Sequence, residues 1–153
     1  MRNLWIFLHL AGMTMWLGGG LAVMFAGIAS KQFAREHLGA VARLFAVIHA
    51  RVIGPGAALV VLSGLVLTMQ MMSALGAGAG GSISPWVLLM QGAGLLGAAL
   101  VIVVSVPAST RAARLDPVTQ AAAFDGLRIR LRIVGAVSGI LGFIALFSGA
   151  MYR

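Results

Sequence analysis

The chain has 153 residues, of which 61% are hydrophobic and only 9% are charged, against about 25% charged residues in a soluble domain. This composition excludes an ordinary soluble protein and predicts one polytopic membrane domain. The net charge of +8 does not indicate a nucleic-acid partner, because the arginines cluster between apolar stretches, where membrane proteins carry their basic loops. The absence of cysteine excludes disulfides and thiolate metal sites.

The first apolar run, residues 4–30, is long enough to cross a bilayer, for which about 20 apolar residues suffice. It contains one ionisable side chain, His9, and such a residue inside a membrane span indicates a functional site. On a helix, the positions three, four or seven residues away share its face; they are Trp5, Gly12, Met13 and Trp16. This face is the first candidate wall of a cofactor site.

The second span is predicted over residues 52–75, after a basic connection over residues 31–51. Pro55 is expected to kink this helix. His49 and Arg51 lie at the basic end of the span. His49 is expected to ligate a second haem, to hold a porphyrin carboxylate together with Arg43 or Arg51, or, as the favoured alternative, simply to lie in the membrane interface. His37 lies among charged residues and is expected to be solvated.

The third span is predicted over residues 85–106, with Pro85 at its start and Pro107 at its end. Trp86, Met90 and Gln91 lie in its first two turns. A second basic connection is predicted over residues 107–132, including a helix that Asp116 caps and that contacts anionic lipid headgroups.

The fourth span is predicted over residues 133–152, where Gly135, Gly139 and Gly142 form a stripe that allows close helix approach. The four spans predict an all-α, four-helix membrane bundle. Both basic connections then lie on one side, which predicts that both termini are non-cytoplasmic. The glycine stripe also allows a homo-oligomer.

His9 and Met90 each lie five residues inside the predicted start of a helix, and these two helices run in the same direction. At 1.5 Å per residue, both side chains are expected roughly 7–8 Å below their helix starts. Histidine and methionine together form an established pair of axial haem ligands, so this pattern predicts a haem b site. Two alternatives stay open: a copper site of thioethers and imidazole, built from His9 with Met13, Met69, Met72 and Met90, and an assembly subunit without a cofactor.

The motifs LHLAGMTMWLGGG, ARLFAVIHARVIGPGAALVVLSGLVLT, SPWVLLMQ and RIVGAVSGILGF, one from each span, resemble the HemJ-like and CopD-like families of small bacterial four-helix membrane proteins and a related family. The HemJ-like resemblance implies haem b, ligated by His9, and a membrane oxidoreductase that acts on protoporphyrinogen. The CopD-like resemblance implies copper handling. Both families usually carry a lysine where this chain has Gln91, which favours haem binding over the specific porphyrinogen reaction.

The sequence thus predicts a haem-binding protein of the bacterial inner membrane that takes part in electron transfer or porphyrin-linked redox chemistry. Its expected partners are membrane lipid and a porphyrin, a quinone or another redox protein. The candidate iron ligands are His9 and Met90. The candidate cofactor-binding residues also include Trp5, Gly12, Met13, Trp16, Trp86, Gln91, His49 and Arg51.

Overall fold

The computed structural model describes residues 2–77 and 83–151. Its four long helices are α1 (Arg2–Gln32), α2 (Arg35–Ala74, with helical backbone continuing to residue 77), α3 (Pro85–Ala112) and α4 (Ala121–Met151). All four are long and apolar enough to cross a membrane. The predicted all-α, four-helix bundle is therefore confirmed.

Successive helices run antiparallel, as their contacts show. Gly12 of α1 packs against Gly56 of α2, while Gly27, further along α1, packs against the earlier Phe45. The same reversal relates α2 to α3 and α3 to α4. The start of α1, the end of α2, the start of α3 and the end of α4 consequently share one end, called here the terminal end. The other end, which carries most of the arginines, is called the basic end.

The helices extend further than the sequence predicts at the basic end. α2 begins at Arg35 and α4 at Ala121, so much of both predicted basic connections is helix continuous with a span. Asp116 caps the turn before α4 as expected, since its carboxylate accepts hydrogen bonds from the backbone of Val118 (2.7 Å) and Thr119 (3.2 Å). These bonds, that of Val118 first, hold the pKa of Asp116 below its usual range. The predicted end of the fourth span at position 152 lies outside the described residues.

Three helices contain a π-helical segment: Thr14–Gly18, His49–Ile53 and Leu100–Ser105. Pro55 and Pro107 each lie two residues beyond such a segment, and α3 continues through Pro107 to Ala112. A proline lacks the N–H that an α-helix would use, and a wider π turn relieves the clash of its ring with the preceding turn. This explains why Pro107, predicted to end the third helix, does not end it.

The bundle core is centred on Trp16, which is fully buried. Its indole Nε1–H donates to Ser138 Oγ of α4 at 3.2 Å, and that hydroxyl donates to the carbonyl of Gly97 on α3 at 3.2 Å. A Cβ atom at Gly97 would lie 2.8 Å from the Trp16 ring, so only glycine admits the indole here. One α1 side chain thus joins α1, α3 and α4.

The basic end is closed by Arg35, at the start of α2. Its Nε donates to the carbonyl of Pro117 at 2.6 Å, and its guanidinium forms an ion pair with Asp125 at 2.7 Å. Phe124 is buried beneath this contact, against Leu38 and Ala42. The two basic connections are therefore tied to each other.

Candidate functional site

His9 lies between α1 and α2, in the terminal half of the bundle, and is half-buried. Its Nδ1 lies 3.1 Å from the carbonyl oxygen of Val60 and 3.1 Å from Ser63 Oγ. The Ser63 hydroxyl donates its hydrogen bond to carbonyls of its own helix, and the Leu59 carbonyl is the nearer of the two. His9 therefore contacts two acceptors through the same ring nitrogen.

These contacts determine which ring nitrogen of His9 carries the proton. A carbonyl oxygen only accepts, so Nδ1 must donate to Val60. In the neutral imidazole, Nε2 then carries the lone pair that can bind a metal or accept a proton. A histidine ligand commonly donates its other N–H to a backbone carbonyl, which fixes the ring and raises its basicity.

Close approach of α1 to α2 holds the imidazole in place. A Cβ atom at Gly64 would lie 3.2 Å from Cε1 of His9, and one at Gly12 would lie 2.9 Å from the carbonyl oxygen of Gly56. The two helices thus leave no room for a flat macrocycle between them at Gly12. Any cofactor at His9 must approach from the side of the ring that faces away from α2.

A second polar contact lies one turn nearer the terminal end. Gln91 of α3 donates its amide N–H to Thr68 Oγ1 at 2.8 Å, and Thr68 donates to the carbonyl of Gly64 at 2.8 Å. Because Gly64 also contacts the His9 ring, the two polar contacts are linked through α2. Gln91 thus lies beside the His9 site, on the neighbouring hairpin.

Met90 does not lie level with His9. The Thr68–Gln91 contact is four residues beyond Gly64 on α2, which is about 6 Å along the helix axis, and Met90 adjoins Gln91. The Met90 sulfur also packs towards α4, 3.1 Å from where a Cβ of Gly149 would be. The spacing from the predicted helix starts therefore does not translate into equal depth, because the tilt and register of the packed helices set the relative height.

The aromatic candidates have different surroundings. Trp5 is half-buried on the same face of α1 as His9, whereas Trp16 is buried in the bundle core together with Met13. Trp86 is 40% exposed and meets the edge of the Phe147 ring at a centroid distance of 6.2 Å. Only Trp5 is therefore placed as a wall for a ligand at His9.

His49 is buried near the basic end, and its Nδ1–H donates to the carbonyl of Phe45 on its own helix at 2.8 Å. Arg51 is exposed. His37 is exposed as predicted, with its ring 3.8 Å from Glu36. The structure does not bring His49 to the His9 site, since their contacts on α2 are more than ten residues apart.

The terminal end is more open on one hairpin than on the other. No described side chain of residues 2–11 or 64–74 is buried, whereas Val87, Ala145 and Ser148 are buried between α3 and α4. The terminal halves of α1 and α2 pack on each other. Their inward faces, which point into the bundle, nevertheless stay half-exposed. His9 lies on the inward face of α1, and Gln91 of α3 contacts that of α2 through Thr68.

Two residues of the site, Ser63 and Thr68, were not candidates from the sequence. Small and hydroxyl-bearing residues are frequent in membrane helices, so neither stands out. Their significance depends on the register that brings Ser63 opposite His9. Among the described residues, no group of three His, Asp or Glu side chains is placed to hold a metal ion.

The methionines of the copper alternative are dispersed. Met13 is buried in the core, whereas Met69 and Met72 are 60% and 45% exposed, and Met90 contacts α4. Their sulfur atoms have different surroundings.

No family model matches the chain, and comparison with curated proteins and with solved structures found no similar protein.

Proposed function

We propose that the protein binds a b-type haem at the terminal end of the bundle, with His9 Nε2 as its principal ligand, and works in membrane electron transfer. The observation that carries the proposal is the hydrogen bond from His9 Nδ1 to the Val60 carbonyl. It leaves the Nε2 lone pair available and fixes the ring plane. A bound haem supplies one-electron redox chemistry.

The residues present fit a haem better than a bare ion. Haem iron takes four ligands from the porphyrin and needs only one or two from the protein, and His9 has one ring nitrogen, Nε2, available for this. His9 is only half-buried, which supports access of a ligand to its ring. Trp5 offers an aromatic wall, and Gln91 a polar group near the rim. The dispersed methionines give no comparable support to copper.

The second residue that would hold the haem iron is Met90, from the other hairpin. Its side chain is unbranched and has three rotatable bonds, so its sulfur can leave Gly149 and turn towards the cleft. The offset of about 6 Å along the axis means that Met90 must reach towards the basic end. Its contribution is therefore expected to be smaller than that of His9.

The visible absorption spectrum of the purified protein tests this function. The wild type is expected to show a Soret band, and His9→Ala is expected to lose most of its haem while inserting normally, because insertion depends on the apolar run. Met90→Ala should retain haem and shift the iron towards high spin. His37→Ala, a change of the same type at an exposed position, serves as the control and should be silent. A wild type without a Soret band, or a His9→Ala variant with unchanged haem content, would contradict the proposal.

We also propose that the basic end faces the cytoplasm and that the protein lies in the bacterial inner membrane. Nine of the eleven Lys and Arg residues fall on the two basic connections or at their borders, leaving only Arg2 and Arg153 for the other side. A reporter fused after Arg153 should be active only in an exported form. Activity of a cytoplasmic reporter there would reverse this orientation.

A further inference from the structure

The basic end contains a small crevice that the haem proposal does not use. It lies where the basic ends of all four helices meet, and its volume is about 30 Å³. Pockets for small soluble ligands measure about 300–1,000 Å³. The crevice has room for one or two groups the size of a water molecule, such as methylene groups of a hydrocarbon chain.

The lining of the crevice is apolar apart from two serines and one arginine. Ser30 donates its hydroxyl proton to the carbonyl of Gly27 at 2.9 Å, and Ser109 donates to that of Val106 at 2.8 Å. Both serine protons are thus used within their own helices. Arg128 is the one lining residue that can still donate hydrogen bonds to an anion.

Arg128 is held at the side of the crevice by Phe124. Its guanidinium carbon lies 5.8 Å from the centroid of the Phe124 ring, and the ring itself is 1% exposed. This cation–π contact leaves the guanidinium edges available for hydrogen bonding. The site therefore presents one positioned cation next to a narrow apolar opening.

Carboxylates of the chain do not neutralise this end. Of its three acidic residues, Asp125 pairs with Arg35, Glu36 lies near His37, and Asp116 accepts backbone hydrogen bonds. Among the described residues, Arg35 is the only arginine or lysine in an ion pair. Most of the arginine charge at this end is therefore available to an anion from outside the chain.

We propose that the crevice and Arg128 form a binding site for one anionic phospholipid. Methylene groups of an acyl chain close to its ester lie in the apolar opening, and the phosphate accepts hydrogen bonds from Arg128. An amphiphile suits one cation beside an apolar crevice, whereas a soluble phosphate would need several donors. This site is independent of the proposed haem site and requires no cofactor.

Retention of lipid by the full-length protein tests this site. The protein is reconstituted into phosphatidylcholine bilayers that contain a minor fraction of phosphatidylglycerol, and native mass spectrometry then counts the phospholipids that stay bound. The wild type is expected to retain one phosphatidylglycerol. Arg128→Gln should weaken that retention at least about fivefold more than Arg130→Gln, which corresponds to about 1 kcal/mol for one arginine near a membrane surface.

Arg130→Gln is the matched control, because Arg130 is exposed on the same helix and its loss changes the net charge equally. Ala42→Leu keeps every arginine but fills the crevice, and should also reduce retention. Arg128→Lys keeps the positive charge and tests the site even if the glutamine variant fails to fold. Equal retention by Arg128→Gln and Arg130→Gln would overturn the proposal, and so would displacement of the lipid by inorganic phosphate.

Discussion

The two ends of the bundle handle their polar groups in opposite ways. At the terminal end, polar side chains reach from one helix to the next and keep some hydrogen-bonding capacity unused, as His9 does with Nε2. At the basic end, Ser30 and Ser109 bond to their own helices, and Arg35 ties the connections together. The basic end is thus closed by its own residues, whereas at the terminal end the α1–α2 hairpin keeps half-exposed inward faces. We infer that the polar contacts of the terminal end position a ligand and that those of the basic end stabilise the bundle.

The largest expected effect comes from breaking the close approach of α1 and α2. A Cβ atom at Gly56 would lie 2.7 Å from Met15 Cβ and 2.8 Å from the backbone nitrogen of Trp16. Because backbone cannot move aside cheaply, Gly56→Ala should lower the free energy of unfolding by about 3 kcal/mol. Thermal unfolding in detergent measures this.

Gly18 is the matched control, since a Cβ atom there has no neighbour within 4 Å. Gly18→Ala should leave stability unchanged or raise it by up to about 1 kcal/mol, because alanine has the higher helix propensity. Equal effects of the two changes would mean that α1 and α2 are not in close contact. The placement of the His9 ring against Gly64 would then be wrong.

A smaller effect is expected at the second contact of His9. Ser63→Ala removes one of the two acceptors of Nδ1 and leaves the Val60 carbonyl, so the ring keeps its tautomer but is held less firmly. Haem affinity should fall about tenfold, the lower limit for losing a partner of a metal ligand. A haem titration monitored at the Soret band measures this change.

Ser148→Ala is its control, because Ser148 is also buried in the terminal half but bonds only to the carbonyl of Ile144 on its own helix. Its haem affinity should equal that of the wild type. A matching loss in both variants would indicate a general loosening of the bundle, and the assignment of the site to the α1–α2 interface would be wrong.

The smallest effect concerns the closure of the basic end. Arg35 and Asp125 are 44% and 45% exposed, and an exposed ion pair contributes about 0–1 kcal/mol. Asp125→Asn, which leaves the hydrogen bond from Arg35 to Pro117 in place, should therefore lower the free energy of unfolding by no more than about 1 kcal/mol, and less at high salt. Haem content should not change. A loss of haem in this variant would show that the two ends are coupled and would contradict their separate roles.

Much of the fold was predictable from the sequence, because it depends on the local apolar pattern. Four apolar runs separated by basic or glycine-rich segments determine four helices, and an even number of spans brings both chain ends to one end of the bundle. The cap at Asp116 was also predictable, since capping involves neighbouring residues. The continuation of α3 through Pro107 was not, because the sequence shows the proline but not the π segment that precedes it.

The candidate site was predictable only in part. His9 could be identified from the sequence because it is an ionisable residue in an apolar span. The structure places its ring against Gly64 of α2. The hydrogen-bond partners of His9 were not predictable, because the register between α1 and α2 decides that Val60 and Ser63 lie opposite its ring. Only the tertiary structure sets that register, because the register results from the contact between Gly12 and Gly56. These two glycines are more than 40 residues apart in the sequence. The same packing determines the relative height of His9 and Met90, which spacing along the chain cannot give.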